Sequence, residues 1–264
     1  MATYLVSDLH GNLDAFKELL EKMDFKYDGS DELYLLGDYV DWGPEPLNTL
    51  LFVMELQEKY PFVHCLIGNH DLMFLDQIDM YHLNKLNRDT NWLVYNGGQR
   101  TWDQWLAKDE DEREKIRNYI DDLPYRIDIE CEGKKYILAH ACPQEFYDSI
   151  EDSYAFEHAR YDACWERITR KVPSVIRWFD DEGIYENFIC GHTITNNATQ
   201  EIPYFHIKIE ENSYIDIDCG AKVLGNTFFE GWKYGRLGGL RLNDMKEYYV
   251  NVEVDESEIK DNED

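Results

Sequence analysis

The sequence predicts an α/β fold with its working residues in turns at the carboxyl ends of strands. Three observations predict it. In the first seventy residues a short apolar strand runs three times into a turn rich in Gly and carboxylate, and each turn opens a helix. The composition, 44% hydrophobic and 14% aromatic over 264 residues, is that of a chain able to bury a sizeable core. The last third alternates apolar and polar residues with the period of two that strands require.

Taken in order, residues 4–7 form an apolar run that ends at Asp8-Leu9-His10-Gly11-Asn12. A helix follows, with Leu13, Phe16, Leu19, Leu20 and Met23 on one face. Residues 32–36 form a second strand ending at Gly37-Asp38, residues 46–60 a helix, and residues 62–67 a third strand ending at Gly68-Asn69-His70-Asp71. Residues 84–124 are polar and helical, an expected insertion or cap. Residues 125–130 and 135–139 make a hairpin around Glu132-Gly133, and its second strand ends at His140. Residues 144–182 read as a second charged helical insertion, and residues 187–190 as a strand ending at Gly191-His192-Thr193. Further strands are expected over 204–209, 214–217, 239–242 and 248–254, all within one domain of residues 1–254, followed by an acidic tail over 255–264.

Charge and cysteine usage narrow the class. Asp and Glu number 54 against 26 Lys and Arg, a net charge of −28. Such a field repels nucleic-acid backbones and anionic lipid, so long DNA or RNA is excluded as an expected partner. No run reaches the roughly 20 apolar residues of a membrane span. The N-terminus has no basic region or small-residue cleavage site, and a cytoplasmic protein is expected. Six scattered cysteines (Cys65, Cys131, Cys142, Cys164, Cys190 and Cys219) form neither a disulfide framework nor a zinc ribbon, and reduced thiols are expected.

Five strand-end turns carry metal-competent groups: Asp8 with His10, then Asp38, Asn69, His140 and His192. Singly, Asp and Asn favour turns for backbone reasons, and a lone His is more often structural. His64, His82, His158 and His206 stay in that structural category. Jointly, the placement of four of eight histidines in these turns points to metal binding. Asp8 and His10, two apart on an extended segment, point the same way and can grip one ion; the two oxygens of Asp38 can bridge; Asn69, His140 and His192 can complete a second site. Mixed oxygen and imidazole donors suit Mn, Fe or Zn better than Ca.

Asp8-Leu9-His10-Gly11, Gly37-Asp38-Tyr39-Val40-Asp41, Gly68-Asn69-His70-Asp71, His140 and Gly191-His192-Thr193 resemble, in order, the motifs of the calcineurin-like metallophosphoesterases. They are most similar to the branch of bacterial and phage serine/threonine phosphatases and symmetrical diadenosine tetraphosphatases. Asp218-Cys219-Gly220-Ala221 and Gly238-Gly239-Leu240 share that likeness. The resemblance implies two mixed β-sheets packed face to face as a sandwich flanked by helices. It implies a first metal held by Asp8, His10 and Asp38, and a second held by Asp38, Asn69, His140 and His192. Mn is the expected metal of both sites. The resemblance further implies that a hydroxide held between the metals would attack phosphorus and that His70, oriented by Asp41, would protonate the leaving group.

Two departures matter. Ile194 stands where nucleases of this family commonly carry a second His. Trp42 stands where the protein phosphatases usually carry Arg, and it cannot replace a guanidinium fork. Trp42 can stack a substrate base or pack against the 144–182 insertion, and Arg167 is the candidate for the remaining phosphate clamp, with a surface ion pair as its alternative. The expected activity is hydrolysis of phosphomonoesters, foremost phosphoserine or phosphothreonine in proteins. Symmetrical hydrolysis of dinucleoside polyphosphates is the second reading. A metal-binding pseudoenzyme is the third.

Overall fold

In a computed structural model of the chain, the described residues are 1–83, 91–141, 160–161, 163–167, 178–180, 183–185, 187–195, 206–210, 214–222 and 234–253. The expected tail over 255–264 and most of the expected 144–182 insertion lie outside them.

One sheet is built from the N-terminal strands. β1 (Ala2–Val6), β2 (Asp31–Leu35) and β3 (Val63–Cys65) run parallel, joined through α1 (Leu13–Met23) and α2 (Pro46–Lys59). β11 (Tyr234–Arg241) pairs antiparallel with β1, and β12 (Lys246–Glu253) extends the edge, giving the order β12-β11-β1-β2-β3. The second sheet has the order β4-β5-β8-β10-β9, from β4 (Arg126–Cys131), β5 (Lys134–Ala139), β8 (Asn187–Cys190), β9 (Lys208–Glu210) and β10 (Tyr214–Asp216). β5, β8 and β10 are parallel, with antiparallel strands at both edges. Both sheets are mixed, as expected. β6 (Trp178–Asp180) and β7 (Gly183–Tyr185) pair separately. Residues 178–180 were expected to be helical and are instead extended, because Trp178, Phe179 and Asp180 pair antiparallel with β7.

The apolar pattern follows from where each strand sits. Val6, Leu33, Leu35 and Cys65 join the core under the helices; Leu5, Tyr34, Leu36 and Leu66 join a second core with Leu138, Ile189 and Ile215 of the other sheet. A strand covered on both faces reads as a continuous apolar run, which is why 4–7 shows no alternation. α1 buries Leu13, Phe16, Leu19, Leu20 and Met23 as its periodicity predicts. It lies so close to β11 that a Cβ on Gly239 would sit 2.7 Å from Met23 Sδ.

α3 (Asn69–His82), a π-helical turn (Asn91–Tyr95), α4 (Gly98–Leu106) and α5 (Glu110–Asp121) follow β3. Trp92, Trp102, Trp105, Ile116 and Ile120 all enter the core under the helices, so the described part of 84–124 is built into the main body. Trp102 and Trp105 stack at 4.8 Å, and Trp92 stacks on Phe74 of α3 at 5.6 Å. Asp109 caps α5 by accepting from Glu112 N at 2.9 Å. Among the described residues no helix is long and apolar enough to cross a membrane. Five of the six cysteines are described; all are buried and free.

Candidate metal centre

The turns after β1 and β2 are zipped together by backbone hydrogen bonds. Asp8 N donates to Gly37 O at 3.1 Å, His10 N to Asp38 O at 2.9 Å and Gly11 N to Tyr39 O at 3.0 Å. This pairing forces unusual backbone angles: Asp8, His10, Asp38, Asp41 and Trp42 all have left-handed φ, between 43° and 71°, and His192 joins them at 65°. Such strain costs about 1–3 kcal/mol per residue and persists only where the surroundings impose it. Two glycines make the packing possible. A Cβ on Gly68 would meet Asp38 Oδ1 at 2.2 Å, and one on Gly191 would meet Asp8 Oδ2 at 2.1 Å.

Each carboxylate has one oxygen tied down and one left open. Asp8 Oδ2 accepts from Ser7 Oγ at 2.5 Å and from His192 N at 3.1 Å. Asp38 Oδ1 accepts from His70 N, in the first turn of α3, at 2.9 Å. Asp8 Oδ1, Asp38 Oδ2 and His10 Nε2 are buried without a hydrogen-bond partner. They converge: His10 Nε2 lies 3.7 Å from Asp8 Oδ1 and 3.5 Å from Asp38 Oδ2. That spacing is long for a hydrogen bond, and suits donors sharing an ion at bond lengths of about 2.0–2.2 Å.

The imidazoles are oriented by backbone carbonyls. His10 Nδ1 lies 3.1 Å from Val40 O, His140 Nδ1 2.8 Å from Leu36 O, and His192 Nε2 3.2 Å from Trp165 O. A carbonyl only accepts, so in each ring that nitrogen carries a proton, and the other nitrogen faces inward. The inward atoms meet. His140 Nε2 is 3.3 Å from Asp38 Oδ2 and 3.0 Å from Asn69 Oδ1, and His192 Nδ1 is 2.8 Å from the same Asn69 oxygen. Groups this close need a positive charge among them, which the His140 proton or a bound cation can supply. Outward donation to a carbonyl is the usual support of a metal-binding His. His10, Asp38 and His70, and likewise Asp38, His140 and His192, form groups that could each hold an ion, with Asp38 common to both.

The electrostatics express the same demand. Burial alone pushes the Asp8 and Asp38 carboxyls up, but facing imidazoles, His140 above all, outweigh it and hold both below the usual range. His140 is driven up to about 9; burial opposes this, and Asp38 and Asp8 overcome it. His192 is held well below its ordinary value by burial, then by His140 and Arg167. Asp218, fully buried with Oδ2 unpartnered, is pushed up to about 7 by burial and by Asp8.

His70 stands beside this cluster. Its Nδ1 donates to Asp41 Oδ2 at 2.7 Å, as the expected pairing requires, and burial is the main cause lowering its pKa. Arg167 is exposed and donates to His192 O at 3.4 Å, which puts it at the rim of the site. Trp42 is partly buried, with its ring 6.4 Å from that of His70. It rests on Gly97, where an added Cβ would meet the Trp42 ring at 2.8 Å. Its suggested packing against 144–182 falls mostly outside the described residues.

Three supports escaped the sequence reading. Ser7 ties Asp8, and Asp71 accepts from the backbone N–H of Asp38, Tyr39 and Gly68. Asp41 is held by Trp92 and Thr101. Asp71 lies inside a motif and Ser7 directly precedes one, and their neighbours could have suggested a supporting role. No spacing links Asp41 to positions 92 and 101.

Fold and site together define a metal-dependent phosphatase: residues 1–196 match the calcineurin-like phosphoesterase family, and the chain belongs to it. Over 228 residues it is 31% identical to serine/threonine-protein phosphatase 2 of Salmonella typhimurium, covering 86% of this chain and 90% of that one. It is 45% identical over 75 residues to a symmetrical bis(5'-nucleosyl)-tetraphosphatase of Pseudomonas putida, a stretch covering 28% of this chain and a quarter (25%) of that relative. Among solved structures, a metallophosphoesterase from Sphaerobacter thermophilus superposes with a TM-score of 0.54 at 17% identity, covering 98% of this chain and 90% of that chain. A putative diadenosine tetraphosphatase superposes with a TM-score of 0.53 at 18% identity, covering 95% and 93%. These two likenesses bear on the fold.

Proposed function

We propose that the chain hydrolyses phosphomonoesters at a dinuclear centre, with phosphoserine and phosphothreonine in proteins as the leading substrates. One observation carries the reading: three imidazoles anchored by backbone carbonyls and two half-tied carboxylates crowd together, and Asp8 Oδ1, Asp38 Oδ2 and His10 Nε2 among them have no hydrogen-bond partner. Asp8, His10 and Asp38 hold one cation; Asp38, Asn69, His140 and His192 hold the other. Two divalent cations, Mn foremost and Fe or Zn as alternatives, supply Lewis acidity and activate water at neutral pH. The protein residues do the rest. Asp41 fixes His70 through Nδ1, which leaves Nε2 as the nitrogen that, in the imidazolium form, would pass a proton to the departing ester oxygen. Arg167 and the Asn69 amide bind the phosphoryl oxygens. The positive centre draws a phosphate in despite the net charge of −28.

Symmetrical dinucleoside polyphosphate hydrolysis is the second reading. It is favoured by the 45% local identity and by Trp42, a flat ring beside His70 where a base could stack. The test is turnover of p-nitrophenyl phosphate by metal-stripped protein, before and after Mn²⁺ is added. Metal-restored turnover that vanishes in Asp38→Asn supports the centre, and its absence on every phosphoester rejects it. Comparing a phosphoserine peptide with diadenosine tetraphosphate then decides the substrate.

A further inference from the structure

Asp41 is more constrained than a simple partner of His70 needs to be. It is fully buried, and its two oxygens accept three side-chain hydrogen bonds. His70 Nδ1 and Trp92 Nε1 donate to Oδ2 at 2.7 and 2.6 Å; Thr101 Oγ1 donates to Oδ1 at 2.6 Å. The Thr101 hydroxyl also accepts from the Asp41 backbone N–H at 3.1 Å, so one side chain fixes both ends of the residue. That second contact matters because Asp41 is held at a left-handed φ of 71°.

The donors themselves are immobile. Trp92 and Thr101 are fully buried. The Trp92 indole is stacked on Phe74 and lies directly over Gly98, where a Cβ would come within 2.3 Å of the ring. The indole therefore has one orientation, and its N–H has one target. Both donors come from residues 91–106, the region expected to be an insertion.

We infer that Trp92 and Thr101 are positioning residues for the leaving-group step, acting through Asp41 to aim the His70 imidazole. The inference rests on the phosphoesterase reading above. As a water-derived oxygen bonds to phosphorus, the P–O ester bond breaks, its electron pair goes to the ester oxygen, and the Nε2 proton of the His70 imidazolium follows. Solvent then returns a proton to Nε2. An oxygen that leaves readily needs little help from an acid. An alkoxide such as the serine oxygen needs much. An Asp41 free to rotate lets the ring swing, and the loss grows as the leaving group worsens.

The experiment measures kcat for wild type, Trp92→Phe and Thr101→Val in Mn²⁺-loaded protein on phenyl phosphates of graded leaving-group pKa and on a phosphoserine peptide. Trp92→Phe removes the indole N–H with one ring of the side chain, and Thr101→Val keeps the shape while removing the hydroxyl that both donates to Asp41 Oδ1 and accepts from Asp41 N. Expected is a kcat loss of at least about ten-fold on the peptide, part of the roughly 10²–10⁴-fold that general-acid catalysis supplies in all, shrinking toward unity for 2,4-dinitrophenyl phosphate. In a His70→Asn background the same changes should cost nothing more. Equal losses on every substrate, no loss on any, or full additivity with His70→Asn would each overturn the inference. Should wild type turn over no phosphoester, the underlying reading fails. The clamp then stands or falls on the His70 Nδ1–H proton resonance, which should be present in wild type and lost in the Trp92→Phe/Thr101→Val double variant.

Discussion

Asp38 Oδ2 and His140 Nε2 face each other at 3.3 Å across the seam between the two sheets, and neither is free to turn away. His140 is anchored by Leu36 O, and the other oxygen of Asp38 by His70 N. Asp38→Asn keeps the volume and removes the shared anionic ligand. Activity is expected to fall below detection while the far-UV circular dichroism spectrum is retained. Wild-type turnover in this variant would refute the bridging role.

His140→Ala leaves Asp38 Oδ2 and Asn69 Oδ1 facing a void. Metal content per chain, measured by inductively coupled plasma spectrometry after Mn²⁺ loading and desalting, should drop from two towards one. Retention of two ions would remove His140 from the second site.

Stability of the metal-stripped protein should fall as pH rises from about 7 to 9, above the range in which His70 and His192, with lowered pKa values, act in the opposite direction. His140 is raised from 6.5 to about 9, so its proton stabilises the fold fully below 6.5 and is lost as pH climbs through 9. Asp218, raised from 3.8 to about 7, acts in the same direction at lower pH. Mn²⁺ must displace the His140 proton, so its stabilisation should grow over the same range. Thermal melts at several pH values, with and without Mn²⁺, measure both trends. A metal-free Tm that rises between about pH 7 and 9 would contradict the assignment.

Ser7→Ala removes the hydroxyl that ties Asp8 Oδ2. Loss of such a supporting contact typically weakens metal binding by about 10–100-fold, and a Mn²⁺ titration followed by calorimetry should show it. An unchanged Kd would mean that His192 N alone holds the carboxylate.

Arg167→Ala should raise KM several-fold with a smaller change in kcat, since an exposed side chain at the rim contributes binding more than chemistry. Wild-type kinetics would leave Arg167 as a cap on His192 O and nothing else.

The turns bearing Asp8, His10, Asp38, Asn69, His140 and His192 were legible because each follows an apolar strand, and strand periodicity survives in a single sequence. The face-to-face sheets were not legible from periodicity. Leu5 and Val6 are neighbours that enter different cores, and only a second sheet explains why both must be apolar. The region 84–124 was read as peripheral because its residues are polar on average. Yet α5 buries only Ile116 and Ile120 among its twelve residues, and those two suffice to dock it. Trp92 and Thr101 lie 51 and 60 positions from Asp41, so the contact exists only once the chain has folded.

Four of the six candidate ligands descend from the first sheet, while His140 and His192 follow strands of the second. An ion shared by Asp38 and His140 would therefore act as a rivet through both layers, at the strand-end turns where the two sheets meet. Substitutions deep between the sheets, at Leu138 or Ile189, would then first be felt as a change in metal affinity. A small shear would part the ligands long before it opened the core.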